Sequence, residues 1–298
     1  MSVPVAYATI IIIWSTTPLG ITWSNETLSP IAAVTIRMSL AALIGLAFLK
    51  LARINLFWSR AALKTYTYSL SGVFFAMVCT YMAAQYIPSG LISVLFALSP
   101  VLSNIFSHFL VGKGEFTAMR WAAFLVSFVG LITLCLDEWV IYQDGWIGIL
   151  LLLVAVTFYS LSGVLVQREG YQAHPLSITV GTLLLSTPLF LTSWYVLDGQ
   201  VPNVDWSSRS PWAVLFLSVF GSLIGFASYF YIVRKLGAVA VAMVTLITPV
   251  VALILGSTLN NEPITLQMMA GTLCVLVGLV FYYQNGLSLS LPRRKQLN

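Results

Sequence analysis

Arg37 is the one formally charged residue that lies well inside an apolar stretch of this sequence. It follows Pro30 at a distance of about 10 Å along a helix, taking roughly 1.5 Å per residue. A guanidinium group buried among apolar groups needs partners. Its planar fork of N–H groups suits a carboxylate or another anionic group, which makes Arg37 a candidate ligand-binding residue. The alternative is a structural role, in which it binds backbone carbonyls or helix ends.

Aromatic and polar side chains provide the other candidate binding residues. The aromatic candidates, whose rings combine an apolar face with a polar edge, are Trp14, Tyr81, Tyr159 and Tyr229. The polar candidates share one face of a predicted helix by their spacing and are Ser93, Asn104 and His108. Polar atoms in an apolar environment must find partners, so this stripe is expected to face the protein interior. Packing and interhelical hydrogen bonding are the alternative roles, and for His108 a proton relay is another.

Two prolines lie in the middle of predicted helices. Pro100 and Pro249 each remove a backbone hydrogen bond, which predicts a bend at each position. Neighbouring helices can satisfy the freed carbonyls, which is why such prolines are tolerated in apolar helices. A pair of bends beside a central cavity is one interpretation, and static kinks that improve packing are the other.

Several kinds of chemistry find no matching residues in this sequence. It contains no HExxH motif, no GxSxG motif with a partner histidine, no Walker loop and no pair of aspartates within an apolar stretch. We therefore expect no enzyme activity, no cofactor and no metal site. The three cysteines, Cys79, Cys135 and Cys274, are expected to be free thiols.

The composition is that of a membrane protein. Hydrophobic residues make up 59% and charged residues 8% of the chain, and the mean hydropathy is +0.94, whereas soluble domains carry about 25% charged residues. A bilayer core about 30 Å thick needs about 20 helical residues to cross it. Stretches of this kind are predicted at 4–24, 31–49, 66–84, 90–111, 119–136, 146–166, 176–196, 211–232, 238–257 and 265–284.

The basic residues predict the orientation of these helices, because cytoplasmic loops are rich in Lys and Arg. Those predicted on one side of the membrane are Lys50, Arg53, Arg60, Lys64, Lys113, Arg120, Arg168, Arg234, Lys235, Arg293, Arg294 and Lys295. Only Arg209 lies in a loop on the other side. Both termini are therefore predicted to be cytoplasmic. The net charge of +5 follows from this topology and indicates no nucleic-acid partner.

The second half of the chain repeats landmarks of the first half. The matched positions are Trp14-Ser15 with Tyr159-Ser160, Ser29-Pro30 with His174-Pro175, Gly72 with Gly221, Ser99-Pro100 with Thr248-Pro249, and Gly130 with Gly278. The predicted units are residues 1–140 and 141–285, followed by a basic cytoplasmic tail at 286–298. Because each unit has an odd number of helices, the second must be inverted relative to the first, an arrangement found in transporters.

These landmarks resemble the EamA-like family of the drug/metabolite transporter superfamily, over about residues 5 to 284. The resemblance is carried by Trp14-Ser15-Thr16, Arg37-Met38, Gly90-Leu91-Ile92-Ser93, Pro100, Gly237-Ala238-Val239-Ala240, Thr248-Pro249-Val250 and Glu262. Ser15 and Asn261 stand where this family often has glycine. The resemblance implies a bundle in which helices 1–4 and 6–9 surround a central cavity, with helices 5 and 10 peripheral. An arginine is common at the position of Arg37 in this family. The resemblance therefore favours the structural role of Arg37.

The sequence thus predicts an all-α membrane protein of ten helices in two inverted five-helix repeats. The expected function is export of small metabolites, above all amino acids or related compounds, by alternating access. The expected location is a bacterial inner membrane. Efflux of aromatic or cationic drugs is the alternative, followed by a channel. No carboxylate is predicted at mid-membrane, which favours facilitated export or exchange over proton coupling. The expected partners are a small-molecule substrate and the lipid bilayer, and a homodimer is left open.

Overall fold

The structure is a computed structural model that describes residues 2–112, 118–141, 144–241, 244–245 and 247–287. Within these ranges every regular element is a helix. Most of the predicted basic tail, 288–298, lies outside the described residues, as does Lys113.

Five helical segments form the first half of the described chain, and two of them are divided. The helices are α1 (Val3–Ser24), α2 (Pro30–Leu51), α3a (Arg60–Leu70), α3b (Ala76–Ala83), α4a (Ser89–Phe96), α4b (Ser99–Val111) and α5 (Ala118–Ile141). A π-helical turn over Ser71–Phe75 joins α3a to α3b. Residues 97 and 98 form a turn between α4a and α4b.

The second half has the same order of whole and divided segments. Its helices are α6 (Gly145–Glu169), α7 (Pro175–Leu197), α8a (Ser210–Phe216), α8b (Gly225–Leu236), α9a (Ala238–Val241), α9b (Thr248–Asn260) and α10 (Leu266–Leu287). A longer π-helical stretch, Leu217–Ile224, joins α8a to α8b. Each π-helical stretch therefore lies in the third segment of its half.

The described chain contains six helices long and apolar enough to cross a bilayer. They are Val3–Ser24, Pro30–Leu51, Ser89–Val111, Gly145–Glu169, Pro175–Leu197 and Ser210–Leu236. Shorter apolar helical stretches occur at Trp121–Leu134, Thr248–Asn260 and Leu266–Gly278. Helices satisfy all their backbone groups internally, which is the requirement for crossing hydrocarbon.

Serine side chains determine where two helices begin. Ser29 Oγ accepts a hydrogen bond from the backbone N–H of Ala32 at 3.2 Å, and Pro30 occupies the first turn, where its missing N–H costs nothing. Ser59 Oγ accepts in the same way from Ala62 at 3.2 Å. This second cap starts α3a at Arg60, so the link after α2 is shorter than the predicted 51–65.

The two bend prolines lie just after helix breaks. Pro100 is in the first turn of α4b and Pro249 is in the first turn of α9b. At that position a proline loses no intrahelical hydrogen bond, because the first N–H groups of a helix have no partner within it. The sequence placed both prolines inside continuous helices, whereas the structure places each at the start of a second half-helix.

The helix contacts of the two halves correspond to each other. When each of the first five segments is exchanged with the segment five positions later, one observed contact becomes another observed contact. Helix α1 packs on α8 and α9b, while α6 packs on α3 and on both parts of α4. Helix α2 packs on α7, α5 on α10, and α4a on α9b. The same exchange relates the contact of α2 with the π-helical stretch of α8 to the contact of α7 with the π-helical turn between α3a and α3b. The two halves therefore interdigitate and do not form separate bodies.

Helices α5 and α10 approach closely through glycine. A Cβ atom at Gly130 would lie 2.6 Å from the carbonyl oxygen of Gly271, and a Cβ atom at Gly271 would lie 2.9 Å from the carbonyl oxygen of Gly130. Small residues of this kind let helix backbones meet where no hydrophobic effect drives association. The neighbouring Val129 is 57% exposed and faces away from this contact.

We expect Gly130→Val to force α5 and α10 apart and to destabilise the protein by about 1–3 kcal/mol, the usual cost of overpacking. Thermal unfolding of the detergent-purified protein measures this loss. The matched control is Val129→Leu, which enlarges an exposed side chain on the same helix and should leave the midpoint unchanged. Equal midpoints for the two variants would contradict the close contact.

Candidate functional site

A central cavity lies where both halves of the bundle meet. Its volume is about 80 Å³. Four of the predicted site residues line it, namely Trp14 from α1, Arg37 from α2, Ser93 from α4a and Tyr159 from α6. Side chains from α3b, α8b and the chain before α9b complete the wall. Ligand pockets usually measure about 300–1,000 Å³, so this cavity is too small for an organic solute in the present conformation.

The guanidinium group of Arg37 lies at one side of this cavity and is almost wholly buried, with 1% of the residue exposed. Its Nε donates a hydrogen bond to Ser222 Oγ at 3.0 Å, and its Nη1 donates to the Tyr81 hydroxyl at 3.2 Å. Both acceptors are neutral hydroxyl groups. The positive charge is therefore hydrogen-bonded but not neutralised by these contacts.

The π-helical stretch of α8 allows the guanidinium to approach the backbone. A Cβ atom at Gly221 would lie only 2.8 Å from Arg37 Nη2. The adjacent Ser222 supplies the acceptor for Nε. A π-helix widens the turn, and such widened turns occur frequently at functional sites. Ser222 thus accepts a hydrogen bond from the guanidinium, and the preceding Gly221 leaves room for it because it has no side chain.

Aromatic rings form another part of the site. The ring centroids of Trp14 and Tyr159 are 5.9 Å apart, those of Trp14 and Tyr229 are 5.8 Å apart, and those of Tyr159 and Tyr229 are 5.4 Å apart. Phe96 adds a T-shaped contact to Tyr159 with centroids 5.6 Å apart. These distances are within the range of favourable aromatic pairs. The structure therefore brings three of the four predicted aromatic residues into one cluster.

The remaining predicted residues lie behind the cavity wall or away from it. Tyr81 does not line the cavity but holds Arg37 through its hydroxyl. Tyr229 touches Trp14 and Tyr159 from behind. Asn104 is buried on α4b and is not among the lining residues. The break between α4a and α4b separates its face from that of Ser93, so the predicted polar stripe does not form one continuous wall.

Sequence reasoning missed a set of small hydroxyl residues and one serine. The lining threonines are Thr17, Thr80, Thr245 and Thr248. Threonine carries little signal in an apolar helix because its hydroxyl can bond to the preceding turn. Thr17 does so with the carbonyl of Ile13 at 2.8 Å. Ser222 was missed for the same reason, although its neighbour Gly221 is one of the matched landmarks of the two halves.

Hydrogen bonds between the two halves hold one end of the bundle together. We call this the acidic end, because it carries Glu26, Asp198, Asp205 and Glu262. Glu262 accepts from Ser89 Oγ at 2.9 Å and from the N–H of Gly90 at 3.3 Å, at the start of α4a. Asn260 donates to Glu262 at 3.0 Å and accepts from the indole of Trp23 at 3.0 Å. A carboxylate at a helix N-terminus is favoured by the helix dipole.

A second group of contacts at the acidic end joins α1 and α2 to α7 and α8. Ser29 Oγ donates to Asp198, and Ser210 Oγ donates to the carbonyl of Ser24 at 2.7 Å. The backbone N–H of Thr27 donates to Ser210 Oγ at 3.2 Å. Together with the Glu262 contacts, these bonds join the two halves at the acidic end.

A bundle of apolar helices that encloses a polar residue in a closable cavity is the architecture of a membrane transporter. The model of the EamA-like transporter family matches residues 4–136 and 146–284 of this chain. The chain therefore belongs to the EamA-like transporter family, within the drug/metabolite transporter superfamily, and the predicted resemblance is confirmed. It is an integral membrane protein.

Relatives of this chain carry matching descriptions. It is 25% identical over 258 residues to the "Uncharacterized inner membrane transporter YedA" of Escherichia coli (strain K12), which covers 85% of this chain and 81% of that protein. It is 26% identical over 206 residues to the "Uncharacterized transporter YvbV" of Bacillus subtilis (strain 168). This second match covers 65% of this chain and 63% of the relative.

A solved structure shares the fold. A crystal structure of a protein that is 18% identical superposes with a TM-score of 0.71, over 96% of this chain and 98% of the other. At this identity the likeness concerns the arrangement of helices alone.

We expect Ser222→Ala to destabilise the protein by about 1–3 kcal/mol, since it leaves a buried charged donor of Arg37 without its partner. The control is Ser218→Ala on the same π-helical stretch, because Ser218 is also fully buried but bonds only to its own helix, at the carbonyl of Val214. Thermal unfolding in detergent compares the two. Identical losses would show that Ser222 does not support the guanidinium.

We expect Glu262→Gln to loosen the acidic end, because an amide cannot accept all the hydrogen bonds that the carboxylate accepts. The readout is labelling of a cysteine at the cavity-lining Thr80, in a background without native cysteines, by an impermeant maleimide. The labelling rate should rise about tenfold, the worth of a hydrogen bond to a charged group. Glu26→Gln, at an exposed acid of the same end, is the control. Unchanged labelling would show that Glu262 does not hold the cavity closed.

Proposed function

We propose that this protein exports small metabolites that carry an anionic group, most consistently amino acids, by alternating access. The observation that carries this proposal is the buried charge of Arg37 beside a central cavity, where its hydrogen-bond partners among the described residues are the neutral hydroxyl groups of Ser222 and Tyr81. Burying a cation without a counter-charge is costly in a low-dielectric interior. A carboxylate entering the cavity offsets that cost, and the guanidinium fork fits its geometry.

The aromatic cluster supports the same class of substrate. Trp14 and Tyr159 line the same cavity as the cationic group and contribute large, mainly apolar rings. An amino acid has a carboxylate for Arg37 and an organic side chain for such a wall. Trp14, Arg37, Ser93 and Tyr159 are therefore proposed to contact the substrate, while Tyr81 and Tyr229 position Arg37 and the rings. Asn104 is assigned no direct contact.

Movement of the walls is part of the proposal. The cavity of about 80 Å³ must enlarge before it can hold an amino acid. The breaks before Pro100 and Pro249 provide places where α4 and α9 change direction. These two segments also pack on each other across the halves. Rocking of one half against the other would thus open the cavity at one end while closing it at the other.

The proposed architecture is ten membrane-spanning segments in two inverted repeats, residues 1–140 and 141–285. It is supported by the exchange symmetry of the helix contacts and by the two separate matches of the family model. We further propose that both termini and the basic residues face the cytoplasm of a bacterial cell. The acidic end with its hydrogen bonds then faces outward, so the present conformation is closed to the outside.

Efflux of aromatic or cationic drugs is the second candidate function. The aromatic cluster would suit such compounds, but a cationic compound would meet the charge of Arg37 at close range in a buried site. A channel is the third candidate, and a central cavity of only about 80 Å³ gives it no support. The two carriers differ in the sign of charge that the site accepts, and this difference can be measured.

We expect Arg37→Met to lower the flux of radiolabelled amino acids from proteoliposomes at least about tenfold, the worth of a charge-assisted hydrogen bond. Methionine keeps similar bulk and removes the buried charge, so the fold should survive, and thermal unfolding verifies this. The control is Arg60→Met at an exposed arginine. Wild-type flux should be saturable and stimulated by substrate on the opposite side.

Four outcomes would contradict the proposal in whole or in part. Unchanged amino-acid flux in a folded Arg37→Met variant would remove Arg37 from the binding site. Flux of cationic dyes in place of amino acids would favour drug efflux, and flux that neither saturates nor responds to substrate on the opposite side would favour a channel. A strict requirement for a pH gradient would replace facilitated export by proton coupling.

A further inference from the structure

A second, larger cavity lies at the basic end of the bundle, which carries Lys50, Arg168, Arg234 and Lys235. Its volume is about 640 Å³, and it is a groove between α2, the start of α7 and α8. It shares no lining residue with the central cavity. Neither transport nor the packing of the two halves therefore explains it.

The walls of this groove are apolar and open to the side of the bundle. Ile44 and Phe48 of α2 face Val219, Leu223 and other residues on one stripe of α8. Phe48 is 59% exposed, so this wall lies at the periphery, where a membrane protein meets lipid. From residue 219 to residue 234 the stripe extends about 22 Å along the helix, at roughly 1.5 Å per residue. This length exceeds half of a hydrocarbon core about 30 Å thick.

The groove ends in two nitrogen-rich side chains. Arg234 donates a hydrogen bond from Nη2 to the side chain of Gln172 at 3.0 Å, but its buried Nε has no hydrogen-bond partner in the part of the chain that the structure describes. Buried donors of this kind are normally satisfied, and an unsatisfied one calls for an explanation. His174 accepts from the N–H of Leu176 through Nδ1 at 3.3 Å, which leaves its Nε2 as the donor of a neutral ring.

The surroundings keep His174 neutral. Burial lowers the pKa of its imidazole, and the nearby charge of Arg234 lowers it further. The end of the groove thus offers one fixed positive charge with a free donor and one neutral donor. This combination suits a single phosphate group, since arginine binds phosphate oxygens strongly and directionally.

We propose that this groove binds one anionic phospholipid, with its phosphate against Arg234 and His174 and one acyl chain along α2 and α8. Charge complementarity at one end and an apolar wall of acyl-chain length define the occupant. A soluble phosphate would use only the basic end and would leave the apolar walls unexplained. Basic pockets between membrane helices on the cytoplasmic side are a known mode of lipid binding. This proposal requires that the protein lies in a membrane, but it does not depend on which substrate the protein transports.

Native mass spectrometry of the full-length, detergent-purified protein tests this site. The probes are phosphatidylglycerol and phosphatidylcholine with identical acyl chains. We expect the wild type to retain phosphatidylglycerol preferentially and Arg234→Gln to weaken that retention about tenfold. Lys235→Gln, which removes an exposed charge from the next residue, is the matched control and should retain the lipid as the wild type does. Ala227→Leu, which fills the groove, should weaken retention of both lipids.

Two results would overturn the proposal. Equal effects of Arg234→Gln and Lys235→Gln would show that the attraction comes from the general charge of this end. Equal protection of the protein against thermal unfolding by glycerol phosphate and by phosphatidylglycerol would show that the ligand is a soluble anion. If Arg234→Gln does not fold, cross-linking of a photoreactive phosphatidylglycerol to the wild type tests whether the lipid occupies this groove. Adducts should fall within 219–231 of α8, and adducts elsewhere would exclude the groove.

Discussion

The burial of one positive charge among neutral partners is the constraint on which the site depends. Arg37 is held by the hydroxyls of Ser222 and Tyr81, so the protein satisfies its hydrogen bonds without cancelling its charge. A carboxylate partner from the protein would have made the arginine purely structural. On the proposed function, leaving the charge open would give the central cavity a preference for anionic solutes and would make the empty site costly. The close approach of α8, through Gly221, is what makes this arrangement sterically feasible.

The two halves contribute unequally to this site, although they pack in a symmetric way. Arg37 corresponds to Thr182 in the repeat, and Thr182 bonds to its own helix at the carbonyl of Ile178. The symmetric features are mechanical, such as the π-helical stretches and the breaks before Pro100 and Pro249. The asymmetric features are chemical. In the proposed architecture, the inverted repeats supply a framework that can move, and residues present in only one repeat supply selectivity.

Composition and landmark spacing predicted the family, the helical class and most helix positions, because bilayer thickness and hydropathy leave few alternatives. Arg37, Ser93, Trp14 and Tyr159 were also predictable, since charges and amphipathic rings are conspicuous in apolar segments. The residues that support Arg37 and complete the cavity wall could not be predicted. Ser222 and the lining threonines resemble any other small hydroxyl residues, and only the widened turn of α8 directs Ser222 toward the guanidinium. Asn104 was grouped with Ser93 by a helical spacing that the break at residues 97 and 98 interrupts.

The π-helical stretch of α8 has a consequence for how this helix can respond to a solute. A π turn accommodates an extra residue in the backbone, so shifting it along the helix rotates the residues that it passes by about 100°, the angle per residue of an α-helix. Such a shift would carry the Ser222 hydroxyl away from the guanidinium without changing the length of α8 or unwinding its ends. The segment that fixes the charge therefore also contains a means of releasing it by rotation alone.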